Sequence, residues 1–310
     1  MSADPGAIGS VVCADEFVRV AVNDCSLATW DTEHGLSLLI DWNGCRFLFD
    51  TGMGDALVPN LVRFGIDFRR IEFLVLSHGH NDHTGGLVPL FSELPAPIPI
   101  YAAPRVTCRR WSFSSPVTPE SLEGAESPVA HSEPREISMP RHSADLLNRL
   151  GEVGHFHQID SFRQVRPGIF LTGPIPRHSG ESTGGAFFLD PEGHTPDEII
   201  DEQAILLSDG QEGVLIHGCC HSGIVNTLEH CKKQLSEIPV RTVIGGLHLV
   251  HADGKRLRHT ADYLEASSVK RLVLLHCTGQ IGVEYLRSRL GSEVIETPCA
   301  GETIVWRKQR

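Results

Sequence analysis

Apolar residues fall along the chain in short alternating runs or compact blocks, most of them ended by glycine, proline or aspartate. Strand-like runs cover 17–22, 36–41 and 45–50, the last stopping at the turn signal Thr51-Gly52-Met53-Gly54. Residues 55–65 predict a short helix closed by Gly65. The block 71–76 is short, β-rich and bounded by turn residues, which suits a strand buried on both faces. Residues 84–102 predict a helix and then a strand at 98–102. Between about 105 and 160 the texture changes: Pro, Ser, Glu and Arg accumulate, and only 143–151 predicts a helix. That stretch reads as an insertion or cap over the core. Strands resume at 168–173, 186–189, 204–208 and 213–218. Helices at 223–236, 257–267 and 280–290 then alternate with strands at 240–244, 271–275 and 302–306. No internal repeat of fixed period is present. A β-rich first half and a second half with helices between strands predict one domain over 1–310, with two mixed sheets packed face to face and helices outside.

Composition leaves this picture standing and narrows the partners. Hydrophobic residues make up 41% and charged residues 21% of 310, an ordinary globular balance. A net charge of −12 argues against a nucleic-acid partner, which needs a basic face, but leaves room for a small anionic substrate in a local basic pocket. No run of about 18 apolar residues exists, so no membrane-spanning helix is expected, and the N-terminal segment lacks the marks of a signal peptide. Nine cysteines, an odd number with no CxxC pair, suggest no disulfide framework and a reducing, cytoplasmic compartment. Oligomeric state leaves no trace in the sequence.

The histidines change the picture most. There are 17, and three of them with an aspartate stand together in His78-Gly79-His80-Asn81-Asp82-His83, directly after the buried block 71–76. Alternate residues of an extended segment point the same way, so His78 and His80 can bind one ion together. Where the chain turns into a helix, Asp82 and His83 swing toward a neighbouring position. Imidazoles with a carboxylate suit zinc, or manganese and iron. Other apolar runs end similarly: Gly218-Cys219-Cys220-His221 follows 214–216, Gly245-Gly246-Leu247-His248 follows 242–244, and His276-Cys277-Thr278-Gly279 follows 272–275. Ligands of open α/β sheets gather outside the carboxyl ends of strands, so these four ends converge. Asp50, ending the run 45–50, is placed to orient a metal-bound imidazole from behind; an Asp-initiated turn is the competing reading. His34, His131, His142, His194, His230 and His259 lie in polar or helical surroundings and read as surface. His217 reads as a satisfied core histidine, and His155, His157 and His178 flank the cap.

With HGHNDHTGG after a strand, FLFDTG before it and a late HCTG, the chain resembles the metallo-β-lactamase fold superfamily. More narrowly it resembles the branch of 7,8-dihydropterin-6-yl-methyl-4-(β-D-ribofuranosyl)aminobenzene 5′-phosphate synthase-like proteins. Besides 76–86, the carrying segments are Gly173-Pro174-Ile175-Pro176-Arg177, Asp201-Glu202-Gln203-Ala204, 218–224, 245–249 and 276–279, in order from about residue 30 onward. The resemblance implies an αββα sandwich of two mixed β-sheets with outer helices and two divalent metal ions, zinc first among the candidates, between the sheets. By motif, His78, His80 and His221 hold the first ion, and Asp82, His83 and His276 the second. One departure stands out. Many superfamily members carry a Gly-Asp pair whose carboxylate bridges both ions, and here the corresponding stretch reads Gly218-Cys219. Asp201 and His248 are candidates for the missing ligand, and Cys219 for a soft one.

Such a site implies a metal-dependent hydrolase, since a metal lowers the pKa of bound water from 15.7 to about 7. Asp82 then combines metal binding with orienting the nucleophile or accepting its proton. The expected substrate is a small anionic phosphoester or phosphodiester, pterin- or nucleotide-like, with Arg177 and His178 near its phosphate. Lactone or thioester hydrolysis on the same site, or a non-catalytic metal-binding ligand sensor, are the alternatives. The irregular second-site motif favours the sensor reading.

Overall fold

A computed structural model describes residues 16–113, 133–181 and 185–306. The N-terminal segment and Cys13, part of the expected cap, and His131 lie outside the described residues. Two seven-stranded sheets dominate. The first is built from β1 (Glu16–Val22), β2 (Ser37–Trp42), β3 (Cys45–Phe49), β4 (Leu74–Val75), β5 (Ile100–Ala102), β8 (Phe156–Gln158) and β17 (Thr303–Trp306), in the order β17-β1-β2-β3-β4-β5-β8. The second contains β9 (Arg163–Arg166), β10 (Ile169–Leu171), β12 (Ala204–Ser208), β13 (Gly213–His217), β14 (Val240–Gly245), β15 (Arg271–Leu274) and β16 (Ile295–Glu296), in the order β16-β15-β14-β13-β12-β10-β9. Each sheet has an antiparallel half, β17 to β3 and β9 to β13, and a parallel half, β3 to β8 and β13 to β16.

Period-two alternation assigns the faces. On β2, Leu38 and Ile40 point into the core between the sheets while Leu39 faces the outer layer. On β12, Ile205 and Leu207 point inward while Leu206 packs outward. The outer face of the first sheet is covered by α1 (Leu57–Arg63), α3 (Leu87–Glu93) and α4 (Arg141–Glu152), through Leu57, Leu61, Leu90, Leu147 and Leu150. The second is covered by α5 (Ile224–Gln234), α6 (Gly254–Ala266) and α7 (Gly279–Leu290), through Leu228, Leu257, Leu264 and Leu286. Four layers result, the expected αββα sandwich.

The stretch 105–160 divides. Helix α4 and strand β8 belong to the first sheet and its cover. The part nearest the histidine motif forms a small sheet, in which β6 (Trp111–Ser112) pairs with both β7 (Arg135–Glu136) and β11 (Phe187–Phe188). Just past β7, the Ile137 carbonyl accepts from Asn81 N–H at 2.9 Å, and Ser138 bridges to His80. No helix among the described residues is long and apolar enough to cross a membrane.

One expectation is corrected. Cys25 and Cys299 form a disulfide across 274 residues of sequence, joining the chain after β1 to the approach to β17. Strands β1 and β17 are neighbours, so topology brings together cysteines whose sequence spacing carries no signal. The cysteine argument for a reducing compartment therefore falls.

Phe47 sits fully buried between the sheets and stacks on Phe73 at 4.5 Å between ring centroids. Phe47→Ala is expected to lower unfolding free energy by about 3–5 kcal/mol, read as a reduced urea midpoint. Val62→Ala, on an exposed face of α1, should leave the midpoint unchanged.

Candidate metal centre

The carboxyl ends of β4, β13, β14 and β15 all open at one edge of the sandwich, and each delivers a predicted histidine there. After β4, the motif passes through Gly79, whose replacement by any side chain would put a Cβ 1.9 Å from the carbonyl oxygen of Val106. The short helix α2 (Asn81–Thr84) then begins at His80, which keeps extended backbone while Asp82 and His83 enter the helical turn. This is the change of direction that the HxHxDH spacing predicts.

A first cluster consists of His78, His80 and His221, whose ligand nitrogens lie within 4.8 Å of one another. All three side chains are buried, with ring centroids 4.4–5.0 Å apart. A second cluster surrounds Asp82, whose Oδ2 lies 3.3 Å from His276 Nε2 and 3.7 Å from His83 Nε2. The clusters adjoin: the His78 and His83 rings are 4.4 Å apart.

Hydrogen bonds behind the rings decide which nitrogen faces inward. Ser77 Oγ donates to Asp50 Oδ2 at 2.7 Å and so has only lone pairs left for His78 Nδ1, 2.8 Å away. His78 Nδ1 therefore carries the hydrogen, and Nε2 is a bare lone pair. His83 Nδ1 donates to Asp50 Oδ2 at 2.7 Å, and His276 Nδ1 to Asp24 Oδ1 at 2.9 Å, so the Nε2 of each ring faces inward, toward Asp82. The Nε2 atoms of His78 and His80 are buried and make no hydrogen bond. Uncompensated buried lone pairs are costly in a core and suited to a cation. The donor set fits a divalent metal.

Electrostatics agree. Burial drives His78 and His80 well below the ordinary histidine pKa, keeping both neutral as ligands must be. Burial alone would raise Asp82, but His83, His276 and His34 more than reverse this and hold its carboxyl well below the ordinary range. For His276 burial pulls down, and hydrogen bonds to Asp24 and Asp82 carry its pKa well above the usual value.

The backbone is strained at the same edge. Among the described non-glycine residues with positive φ are Asp50 (59°), Cys220 (60°), His248 (45°) and His276 (46°), each just past a strand at the site. Such conformations cost about 1–3 kcal/mol each and persist where surrounding structure over-determines them.

A model of the metallo-beta-lactamase superfamily matches residues 30–232, more than half of the chain. The chain belongs to this superfamily. Its resemblance to the dihydropterin branch is also borne out. It is similar to the 7,8-dihydropterin-6-methyl-4-(beta-D-ribofuranosyl)-aminobenzene-5'-phosphate synthase of Methanocaldococcus jannaschii, 29% identical over 258 residues, covering 80% of this chain and 82% of the relative. Among solved structures, Tm1679, described as a metal-dependent hydrolase of the beta-lactamase superfamily, superposes with a TM-score of 0.74 at 24% identity, over 93% of this chain and 98% of that one. The metallo-beta-lactamase fold protein YhfI from Bacillus subtilis gives 0.53 at 12% identity, over 94% and 100%. These structural likenesses show the shared metallo-beta-lactamase fold.

The remaining candidates divide by position within this superfamily fold. Cys219 lies between the clusters, its Sγ 3.1 Å from His83 Nε2, and it joins metal-capable groups with His78, with His221 and with His276. His248 stands beside His221 with ring centroids 4.4 Å apart. Phe187 of β11 covers this side, 5.3–5.9 Å from the rings of His80, His221 and His248. Asp201, considered as the missing ligand, has its oxygens engaged elsewhere. Arg110 donates to them at 2.5 and 3.0 Å, and Gly79 N–H donates at 3.0 Å, so Asp201 supports the motif from behind. Arg177 donates to the Glu198 carbonyl, while the backbone N–H of exposed His178 donates to Asn226. These bonds tie both residues to segments outside the two clusters. His217 is buried as expected, but neither ring nitrogen makes a hydrogen bond, so it is not the satisfied core histidine anticipated.

Sequence reasoning missed several supports. Glu202, fully buried beside Asp201, accepts from the backbone N–H groups of His221 and Ser222, each at 2.5 Å. Asp24 and His34 reach the second cluster from the turn between β1 and β2. Arg110 is 1% exposed and ties Asp197 to Asp201. Only the placement of Glu202 next to Asp201, ahead of a buried strand, offered a sequence signal.

Removing Arg110 strands two buried carboxylates beneath the motif. Arg110→Ala should cost about 3–5 kcal/mol in chemical denaturation. The neighbouring Arg109 pairs with Glu136 at 3.0 Å on an exposed surface, and Arg109→Ala should leave the midpoint in place.

Proposed function

We propose that this protein is a metal-dependent hydrolase of small anionic phosphoesters or phosphodiesters. The observation that carries the reading is the pair of adjoining clusters of buried histidines with their Nε2 atoms turned inward. In it, His78, His80 and His221 hold a first divalent ion, and Asp82, His83 and His276 a second, with Asp50 and Glu202 fixing ligands from behind. Nitrogen-rich sets with one carboxylate suit zinc, with iron or manganese as further occupants. Bound divalent ions supply Lewis acidity and a water acidic enough to react near neutral pH.

The chain's own residues do the rest. Asp82, anionic and bordered by imidazoles, orients the attacking water and can take its proton. Phe187 and the small sheet shield the first cluster from bulk water, which strengthens the electrostatics inside. The phosphoester reading is supported by the relative from Methanocaldococcus jannaschii, whose name specifies a 5'-phosphate synthase. A pterin- or nucleotide-like substrate accords with the dihydropterin and ribofuranosyl phosphate in the same name. Arg177 serves as a phosphate partner only by moving from the Glu198 carbonyl it now contacts.

Purified protein reloaded with zinc, manganese or iron should hydrolyse a generic phosphodiester such as bis(p-nitrophenyl) phosphate, and chelator should remove the activity. His80→Ala and Asp82→Ala should each reduce turnover by at least about 100-fold while the fold is retained by circular dichroism. Turnover of a lactone and thioester panel in place of phosphoesters would keep the centre and reassign the bond. A fully metallated protein inert on both panels would leave a ligand sensor.

A further inference from the structure

The turn between β1 and β2 brings one more histidine to the second cluster. The position of His34 is dictated by its neighbours. Gly35 N–H donates to Asp24 Oδ1 at 3.0 Å, and Leu36 N–H donates to the Asp82 carbonyl at 3.2 Å. A Cβ at Gly35 would fall 2.3 Å from that same carbonyl oxygen, so the turn is pressed onto the segment that carries Asp82. The His34 ring stands 4.8 Å from the His276 ring, and the two make matching contacts. His34 reaches Asp24 Oδ1 through Nδ1 at 3.3 Å and Asp82 Oδ2 through Nε2 at 3.3 Å. His276 reaches the same two oxygens through the same two nitrogens, at 2.9 and 3.3 Å.

Because Asp24 engages both rings at Nδ1, both Nε2 atoms turn to Asp82 Oδ2. His83 Nε2 stands 3.7 Å from that oxygen with its own Nδ1 committed to Asp50. Three imidazole nitrogens thus surround one carboxylate oxygen. We propose that His34 is a fourth protein ligand of the second ion, and the one that leaves to open a coordination position. This rests on the metal-centre reading above.

Four nitrogen and oxygen donors close a tetrahedral site, whereas a working site keeps a position free. The side chains of His83 and His276 are 0% and 1% exposed and that of Asp82 13%, while that of His34 is 61% exposed. The first three are held by packing. His34 can rotate into solvent on the fast timescale of exposed side chains, so a second ion held here would be covered by His34 and uncovered by its local movement.

The test uses the full chain, stripped by chelator and titrated with cobalt(II), whose visible bands report coordination. The wild type is expected to take up two ions. His34→Ala should bind the first ion as the wild type does and the second at least about tenfold more weakly, since even partners of ligands are worth about 10–100-fold in affinity. Its visible bands should lose intensity as water replaces imidazole, and added free imidazole should restore them. Two ions bound with wild-type affinity and an unchanged spectrum in His34→Ala would overturn the assignment and leave the metal centre standing. Cobalt uptake below two ions in the wild type would overturn the two-ion reading itself. Loss of the second ion in Asp24→Ala but not in Asp82→Ala would place it on the Nδ1 edge of the rings, again overturning the proposal.

Discussion

One buried carboxylate governs the geometry of the centre. Asp50, at the end of β3, accepts from Ser77 N–H and Ser77 Oγ at 2.7 Å each and from His83 Nδ1 at 2.7 Å. By taking the Ser77 hydroxyl proton it leaves that oxygen only lone pairs for His78. By taking the Nδ1 proton of His83 it turns the far nitrogen of that ring inward. The ring orientations of one histidine from each cluster therefore follow from a single side chain standing behind both. The carboxylate is completely buried, in left-handed backbone, at the junction of two parallel strands. Without the core beneath it, that conformation would relax and the histidines would lose their orientation.

The fold supplies this rigidity through its halves. The antiparallel strands of each sheet supply most of the inter-sheet core, and the parallel strands point their carboxyl ends at one edge. Loops leaving parallel strands must cross the end of the sandwich before entering a helix, which brings sequence-distant residues together. His78 and His276 stand nearly two hundred positions apart in the chain, yet both clusters fit within the span of a few rings. Positive φ at Asp50, His248 and His276 is the local cost of making side chains turn back over the strand ends.

Much of this was legible in the sequence, and the gaps have physical causes. Strand β12 matches its predicted span residue for residue, because five apolar or small residues between turn signals leave little choice. The clustered motif and the strand-end histidines were legible because the carboxyl ends of parallel strands are where such sheets gather their functional side chains. The two-residue strands β6, β7 and β11 were obscure or poorly bounded, since so short an element shows no periodicity. His34 read as surface and is exposed, but exposure does not reveal what lies beneath a ring. Asp24, Glu202 and Arg110 act through partners on other elements, and a single chain without its topology has no means of pairing them. The disulfide between Cys25 and Cys299 was hidden for the same reason.

The charges around the centre form the last link. Asp50 and Asp82 are buried, and among the described residues their ion-pair partners are histidines, with no Lys or Arg paired to them. Arg110, the buried cation closest in sequence logic, is committed to Asp197 and Asp201. Buried carboxylates need compensation, either from protons on neighbouring imidazoles or from a coordinated cation. The protein alone uses protons: burial opposes charge on His83, yet Asp82 and Asp50 lift its pKa, and Asp24 and Asp82 lift that of His34 to about 9. His78 and His80, facing no carboxylate so closely, remain neutral instead. The two clusters therefore differ in kind. In the first, burial keeps the imidazoles neutral, whereas in the second the neighbouring carboxylates raise the imidazole pKa values. Cys219, with its sulfur beside His83, stands where these two regimes meet.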